Sequence, residues 1–241
     1  MLNIIYSEFL KLKKSYIVSV SLVCGVIASI LMVLGNLIAG ISMSFEKFAC
    51  NIQQMNFTIL NIILFSLIAA YVFSREFTDK TASILYAYPM SRIKIFISKL
   101  ITIYILIFLV YFIQCISIYL SYYIADVIVP SSTLIMNDVK ANIVSMMFQF
   151  LLIPIPILIA NITKNMMMPL VYGILSFIAV GFIGSDSTYD DYIPLMVPYI
   201  SAQYFYFPKN INFNHIIVSS TLCFILFMPI CIYEFNKKDI D

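Results

Sequence analysis

The charged side chains that could do chemistry are concentrated in one stretch, Ser74–Lys99, which holds seven of the chain's 26 charged residues. The carboxylate of Asp79 can accept the free backbone N–H groups of a first helical turn, which predicts a short helix over Thr81–Tyr88. Pro89 ends this helix because proline removes a backbone donor and disfavours the α conformation at the preceding residue. Ser91 can cap the next helix. The spacing therefore predicts a short surface helix that another protein could bind.

The sequence lacks the common motifs for hydrolysis and for nucleotide binding. The single histidine is His215, and the motifs H-E-x-x-H and G-x-S-x-G do not occur. No glycine is followed by lysine, which excludes a P-loop for ATP. The five cysteines lack metal-ligand spacing and are interpreted as small apolar residues. We therefore expect no catalytic residue, no metal site and no cofactor in this chain.

The composition is that of an integral membrane protein. Hydrophobic residues make up 62% and charged residues 11% of the chain, with a mean hydropathy of +1.00, whereas soluble domains carry about 25% charged residues. The net charge of +2 gives no reason to expect a nucleic-acid partner. A helix needs about 20 apolar residues to cross a bilayer. Six runs suit this length, at residues 17–40, 55–73, 100–124, 141–161, 166–184 and 215–233. The prediction is one all-α domain over residues 1–241 with six transmembrane helices.

The predicted spans have few polar features. Within the bounds above they contain no Asp, Glu, Lys or Arg, so a proton relay is not expected. Pro154 and Pro156 should kink the fourth span and free carbonyl groups that then need partners. Ser21, Gly25 and Ser29 recur every four residues in the first span, a spacing that lets a second helix approach closely.

The segment Met1–Ser15 is predicted to form an amphipathic helix in the membrane interface. Its apolar residues recur at helical spacing, and Lys11, Lys13 and Lys14 would lie near anionic lipid headgroups. The alternative is a positively charged N-terminal segment that only orients the first span.

The distribution of Lys and Arg predicts the orientation. With the N-terminus in the cytoplasm, eleven of the 14 basic residues fall on that side and three on the other, which follows the positive-inside rule. Both termini and Ser74–Lys99 are therefore expected in the cytoplasm. On the outer side, Ser185–Asn214 has an apolar, aromatic second half that we expect to fold back towards the membrane, either as a lid or as interfacial packing.

Two charged segments flank the first two spans, SEFLKLKKS before the first and SREFTDKTASILYAYPMSRIKIFISKLI after the second. Together they resemble the permeases of type-2 ABC transporters, the ABC-2 family. In that family an acidic residue closes span 2, followed by Thr, then Pro with Ser and Arg, then a Lys that opens span 3. The matching residues here are Glu76, Thr81, Pro89, Ser91, Arg92 and Lys99. Relatives often carry Gly before the Thr, where this chain has Lys80. The short, all-membrane form is similar to permease subunits of lantibiotic immunity and bacitracin resistance.

The resemblance implies an exporter subunit in the plasma membrane that is not itself an enzyme. Two permeases, identical or related, would pair with two cytoplasmic ABC ATPases, which bind the ATP and Mg. The cytoplasmic coupling helix Asp79–Tyr88 would sit in a cleft of the ATPase. The coupling residues implied are Glu76, Asp79, Lys80, Thr81, Leu85, Pro89, Ser91 and Arg92.

The path for an amphipathic substrate, such as a peptide antibiotic or lipid, would run between subunits along spans 2 and 5. Its polar residues would be Asn61, Ser66, Tyr172 and Ser176, each of which could instead form an inter-helix hydrogen bond.

Two other classes share some of these features. A substrate-capture subunit of an ATPase-driven vitamin uptake system would need a polar pocket near the outer face and no capped helix between spans 2 and 3. A membrane-embedded enzyme acting on lipid would need ionisable residues within the spans.

Overall fold

The chain is described by a computed structural model that covers residues 2–13, 15–40, 42–81, 91–126, 129–183, 190–207 and 211–237. Every regular element within these ranges is helical. The fold is therefore all-α, as predicted.

Ten α-helices are present in the described residues. They are α1 (Leu2–Lys13), α2 (Ile17–Ala39), α3 (Phe45–Met55), α4 (Asn61–Thr78), α5 (Arg92–Asp126), α6 (Ser132–Leu152), α7 (Pro154–Thr163), α8 (Met167–Ile183), α9 (Val197–Tyr206) and α10 (Phe213–Lys237). A π-helical turn, Asn56–Leu60, joins α3 to α4, and short 3-10 turns, Asp190–Tyr192 and Pro194–Met196, precede α9.

Five helical segments are long and apolar enough to cross a membrane. They are Ile17–Ala39, Phe45–Thr78, Arg92–Ala125, Ser132–Thr163 and Phe213–Lys237. At the place of the predicted fifth span the structure has α8, which is apolar but only 17 residues long. A helix of that length rises about 25 Å and lies at the lower limit for a transmembrane helix.

The predicted bounds of spans 2, 3 and 4 were too narrow. Residues 41–54 and 125–140 were expected to be loops, but α3 begins at Phe45 and α6 at Ser132. The helix of the third span begins at Arg92 rather than Leu100. These longer helices carry Glu76, Lys99 and Asp138, so the expectation of uncharged spans holds only for the predicted bounds.

The amphipathic pattern of α3 explains why it is a helix. Phe45, Phe48, Ala49 and Ile52 are buried at positions i, i+3, i+4 and i+7, the spacing of one helical face. The polar residues between them had suggested a loop. In the structure these polar side chains lie on the outer face of α3, except Gln53, which makes hydrogen bonds inside the bundle.

The two prolines of the fourth span divide it as predicted. Helix α6 ends at Leu152 and α7 begins at Pro154. Because Pro154 has no N–H, the carbonyl of Phe150 loses its usual helical donor. The hydroxyl of Tyr104 on α5 donates to that carbonyl at 3.3 Å. A partner from a neighbouring helix thus satisfies one of the freed groups.

The small residues of α2 allow it to pack closely on α5. A Cβ atom added to Gly25 would lie only 3.0 Å from the Ile113 side chain. The hydroxyls of Ser29 and Ser117 are 2.9 Å apart, so the helices are also joined by a hydrogen bond. The predicted close approach is confirmed.

The aromatic half of the loop before the last span forms α9. Its buried residues include Val197, Ile200 and Tyr206, and it packs mainly against α6, with further contacts to α3 and α10. The segment folds back into the bundle instead of extending away from it. Its function as a lid remains a prediction.

Candidate functional site

The end of α4 next to residues 82–90 is a tight helix-ending turn. Asp79 closes the helix, and Lys80 adopts φ +54°. The N–H of Lys80 donates to the Phe77 carbonyl at 3.2 Å, and that of Thr81 donates to the Glu76 carbonyl at 2.8 Å. This pair of bonds is a Schellman motif, whose left-handed position most often holds glycine. Lys80 therefore adopts a backbone conformation that glycine adopts without steric cost.

The side chain of Asp79 bonds within α4. Its Oδ2 atom accepts from Nε of Arg75 at 3.1 Å. The predicted coupling helix over Thr81–Tyr88 falls almost wholly at residues 82–90, which lie outside the described residues, as do Leu85 and Pro89. On the far side of that segment, Ser91 directly precedes α5, and its carbonyl accepts from the N–H groups of Lys94 and Ile95. Helix α5 therefore begins where Ser91 was predicted to cap it.

A cluster of four charged side chains lies near the end of α4 and the start of α5. Glu76 Oε1 is 2.9 Å from Lys11 Nζ, and Glu76 Oε2 is 2.8 Å from Lys99 Nζ. Lys11 Nζ is also 2.6 Å from Glu8 Oε1, and Lys99 Nζ is 3.8 Å from Glu8 Oε2. The cluster contains two carboxylates and two ammonium groups and has no net charge. It joins α1, α4 and α5.

The cluster is largely buried, so Glu76, which the resemblance implies as a coupling residue, does not face the solvent. Glu8 and Glu76 are each 5% exposed, and Lys99 is 1% exposed. Lys99 Nζ also donates to the Val72 carbonyl at 2.7 Å. Burial therefore requires the charges to stay paired, because an isolated ion at this place would be strongly destabilising.

The structure also corrects the role predicted for Lys11. Its ammonium group points to two carboxylates of the protein rather than to lipid headgroups, and Arg75 donates to its backbone carbonyl at 2.8 Å. Burial is the largest single influence on the pKa of Lys11 and lowers it, but Glu76 and Glu8 together outweigh burial and raise the pKa. Lys13 is exposed and fits an interfacial position, whereas Lys14 lies outside the described residues.

The ends of other helices lie at the same end of the bundle. Arg92 Nη1 donates to the Asn236 carbonyl at 2.6 Å, which ties the start of α5 to the end of α10. The Ser74 hydroxyl reaches the Asn165 carbonyl at 3.2 Å, and Lys164 lies over the ring of Phe77. Arg92 and Lys164, two of the basic residues predicted to share one side of the membrane, therefore lie at the same end of the bundle.

The residues predicted for the substrate path lie between helices of the same chain. Asn61 and Gln114 are fully buried and exchange hydrogen bonds of 2.8 and 3.3 Å between α4 and α5. Ser66 donates to the Ile62 carbonyl at 2.7 Å, and a Cβ atom on Gly173 would come within 3.1 Å of it. Asn61 is thus engaged in an inter-helix bond, and α4 packs tightly on α8.

The other two path residues lie on α8. Tyr172 and Ser66 line a small cavity together with Gln149, and Ser176 is buried. The structure brings Ser66 and Tyr172 to one cavity, while Asn61 belongs to a separate polar contact. A path between two subunits remains a prediction.

The sequence reasoning missed two buried acids. Glu8 was assigned to no site, and Asp138 was placed in an outer loop. A usable signal for Asp138 was the run Ser131, Ser132 and Thr133, since such residues commonly begin a helix. The helix α6 indeed begins at Ser132 and carries Asp138 into the bundle.

The chain was also compared with known protein families. A family model described as ABC-2 family transporter protein matches residues 4–181, more than half of the chain. The chain belongs to the ABC-2 family. A search among curated proteins finds no significant match.

Membership of the ABC-2 family makes this chain a membrane-spanning permease subunit of an ABC transporter. Such a subunit transports and does not itself catalyse a reaction. ABC-2 permeases generally work with an ABC ATPase and often with a second permease. The resemblance carried by Glu76, Thr81, Pro89 and Lys99 is confirmed at the level of the family.

Proposed function

We propose that this ABC-2 permease is the membrane subunit of an exporter. It moves an amphipathic substrate, a peptide antibiotic of the lantibiotic or bacitracin type or a lipid, out of the membrane or the cell. A separate cytoplasmic ABC ATPase binds ATP and Mg and supplies the energy. The chain resides in the plasma membrane with both termini in the cytoplasm and pairs with a second permease.

The observation that carries this proposal is the neutral cluster of Glu8, Lys11, Glu76 and Lys99. It fixes the end of α4 and the start of α5 to each other and to α1, and these two ends flank residues 82–90. A force applied to that segment by an ATPase would reach two long membrane helices and the N-terminal helix together. Rigid attachment of this kind is what a coupling segment requires.

The substrate path in this proposal runs between the two permeases along α4 and α8. These helices pack on each other through Ser66 and Gly173, and α9 packs on α6 at the end of the bundle that we predict to face outward. Movement of α9 would open the path on the outside. The family membership speaks against the vitamin-capture subunit and the lipid enzyme as alternatives.

The test is reconstitution with an ABC ATPase encoded beside this chain. The two proteins should co-purify in equal numbers, and vesicles containing both should move a fluorescent lantibiotic or bacitracin only when ATP is supplied on the ATPase side. Accumulation of the antibiotic on the ATPase side would contradict export. Failure of the proteins to associate would contradict the subunit assignment.

A further inference from the structure

A second polar cluster lies at the opposite end of the bundle, around Asp138 on α6. Its carboxyl group is fully buried. Gln53 Nε2 donates to Oδ1 at 2.7 Å, and the Tyr206 hydroxyl donates to the same oxygen. Tyr119 donates to Oδ2 at 2.6 Å, with Cys115 Sγ 3.9 Å from that atom. Helices α3, α5 and α9 therefore all converge on this one side chain.

The four donors are neutral groups. Among the described residues no Lys, Arg or His nitrogen lies within 4.0 Å of the Asp138 carboxylate, in contrast to the paired acids Glu8 and Glu76. The titratable groups around it are Cys115 and Tyr119 on α5 and Tyr206 on α9, with Cys50 of α3 acting on Tyr206. A buried carboxylate without a cation is costly, and in membrane helices such acids are rare and functional.

A proton fits this site better than a metal ion. Each carboxylate oxygen already has two donors directed at it, which leaves no open coordination position. In the part of the chain that the structure describes, no group of three or more His, Cys, Asp or Glu side chains could hold a metal. The remaining way to remove the charge is to bind a proton.

The hydrogen bonds can rearrange to accept that proton. When a proton from water adds to Oδ2 of Asp138, the new O–H can donate to the oxygen of Tyr119. Tyr119 keeps its own hydrogen and turns it to the Ile135 carbonyl, which already lies 3.3 Å from its oxygen. Gln53 and Tyr206 continue to donate to Oδ1. Both oxygens of the protonated Asp138 carboxyl group therefore keep hydrogen-bond partners.

We propose that Asp138 is a proton-binding site whose protonated form holds α9 in the bundle. The link to α9 is Tyr206, which donates to Asp138 and accepts from Gln53 Nε2 at 2.7 Å. When α9 moves away, water reaches the carboxyl and the proton can leave. Acid therefore favours the seated α9, and alkali favours its release. This inference rests on the fold and does not depend on the proposed substrate.

The experiment measures how easily α9 opens as pH is varied. Ser201, fully buried on α9, is replaced by Cys in a chain without native cysteines. Cys115 is replaced by Ser, which keeps a donor near Asp138, and the other four cysteines are replaced by Ala. Membrane sheets open at both faces are treated with a water-soluble thiol reagent. Because thiols react faster at higher pH, each rate is divided by that of Asn51→Cys, an exposed position on α3. The ratio should rise with pH by up to about tenfold per pH unit, the limit for release of one proton.

Two further variants separate the proton site from general effects of pH. Asp138→Asn imitates the neutral acid and should label slowly at every pH. Glu46→Gln removes a carboxyl from α3 outside the cluster and should leave the pH dependence unchanged. A ratio that does not vary with pH, or that varies equally in Asp138→Asn, would overturn the proposal. So would a ratio that responds to Na⁺ or K⁺ at constant pH, since that would indicate a cation site.

If Asp138→Asn does not accumulate in the membrane, infrared spectroscopy of the unsubstituted chain tests the proposal. With isotope-labelled aspartate, the spectrum at neutral pH should contain the C=O band of a protonated aspartic acid, shifted on transfer to D₂O. Solvated aspartates are ionised at that pH and do not contribute. A spectrum with only carboxylate bands would refute a protonated Asp138.

Discussion

Glu76 has a different place in the structure from the one that its position in the sequence indicates. At the sequence level it closes a span and begins a polar stretch, which is typical of a surface residue. In the structure its two carboxylate oxygens each bind a different lysine, one on α1 and one on α5. An effect of its removal on transport would therefore include an effect on the fold. Its role in coupling can only be tested with variants that keep the charges balanced.

We predict that the buried pair Glu76–Lys99 behaves as a unit. Glu76→Gln or Lys99→Met alone leaves the buried cluster with one uncompensated charge and should destabilise the protein by about 3–5 kcal/mol. The double variant removes both charges and should recover much of this loss. Thermal unfolding of the purified protein in detergent, analysed as a double-mutant cycle, measures the coupling.

The control for this cycle is the more exposed pair Arg75–Asp79. Its members are four residues apart on one helix, and the Asp79 side chain is 50% exposed. Asp79→Asn should cost less than about 1 kcal/mol. Equal effects at the buried and the exposed pair would show that the cluster contributes no more than surface charges do.

A second prediction concerns the left-handed residue Lys80, which has φ +54°. The left-handed conformation costs a residue with a side chain about 1–2 kcal/mol. Glycine avoids this steric cost, but it loses more backbone entropy on folding, which offsets part of the gain. Lys80→Gly should therefore leave the stability unchanged or raise it by up to about 1 kcal/mol, whereas the β-branched Lys80→Val should lower it. Lys164→Gly, at φ +51° in another turn, is the matched comparison. Stabilisation by Lys80→Val would refute this explanation.

At the scale of elements, the sequence predicted which segments are helical better than where they end. The apolar runs located six helices because burial in a membrane requires continuous apolar residues. The starts of α3 and α6 were missed because the predicted spans began directly after polar residues, Gln54 and Lys140. A polar residue in a helix becomes acceptable when another helix offers partners, as Gln53 and Tyr206 do for Asp138. Such partners are distant in sequence and no local pattern reveals them.

Helix α1 provides a prediction in which two neighbouring lysines should differ. Lys11→Gln removes both contacts to Glu8 and Glu76 and should destabilise the attachment of α1 to α4. Lys13→Gln changes an exposed residue and should alter stability within about 0.5 kcal/mol. Limited proteolysis of α1 in membranes measures this attachment. Equal protection of the two variants would support the alternative in which the N-terminal segment only orients the first span.

At the scale of the whole molecule, the basic residues predict a single orientation. Lys11, Arg75, Arg92 and Lys164 lie at the end of the bundle where α4 ends and α5 begins, so this end should be cytoplasmic. In a chain without native cysteines, Asp190→Cys should react with an impermeant reagent added to whole cells, and Lys80→Cys only after permeabilisation. The reverse pattern would contradict the orientation and with it the position of the ATPase.

The last prediction tests coupling with residues that lie next to residues 82–90 but outside the buried cluster. Thr81 is exposed, and its backbone completes the turn after α4. Thr81→Asp should therefore insert and accumulate normally, since exposed substitutions usually change stability by less than about 0.5 kcal/mol. If this surface contacts the ATPase, the added negative charge should weaken co-purification or leave ATP hydrolysis uncoupled from transport. Asp190→Lys, predicted to lie on the outer side, changes charge without approaching the ATPase and should retain both activities. Normal ATPase binding and transport by Thr81→Asp would place the contact elsewhere, whereas loss of the protein from the membrane would show that the turn itself is required for folding.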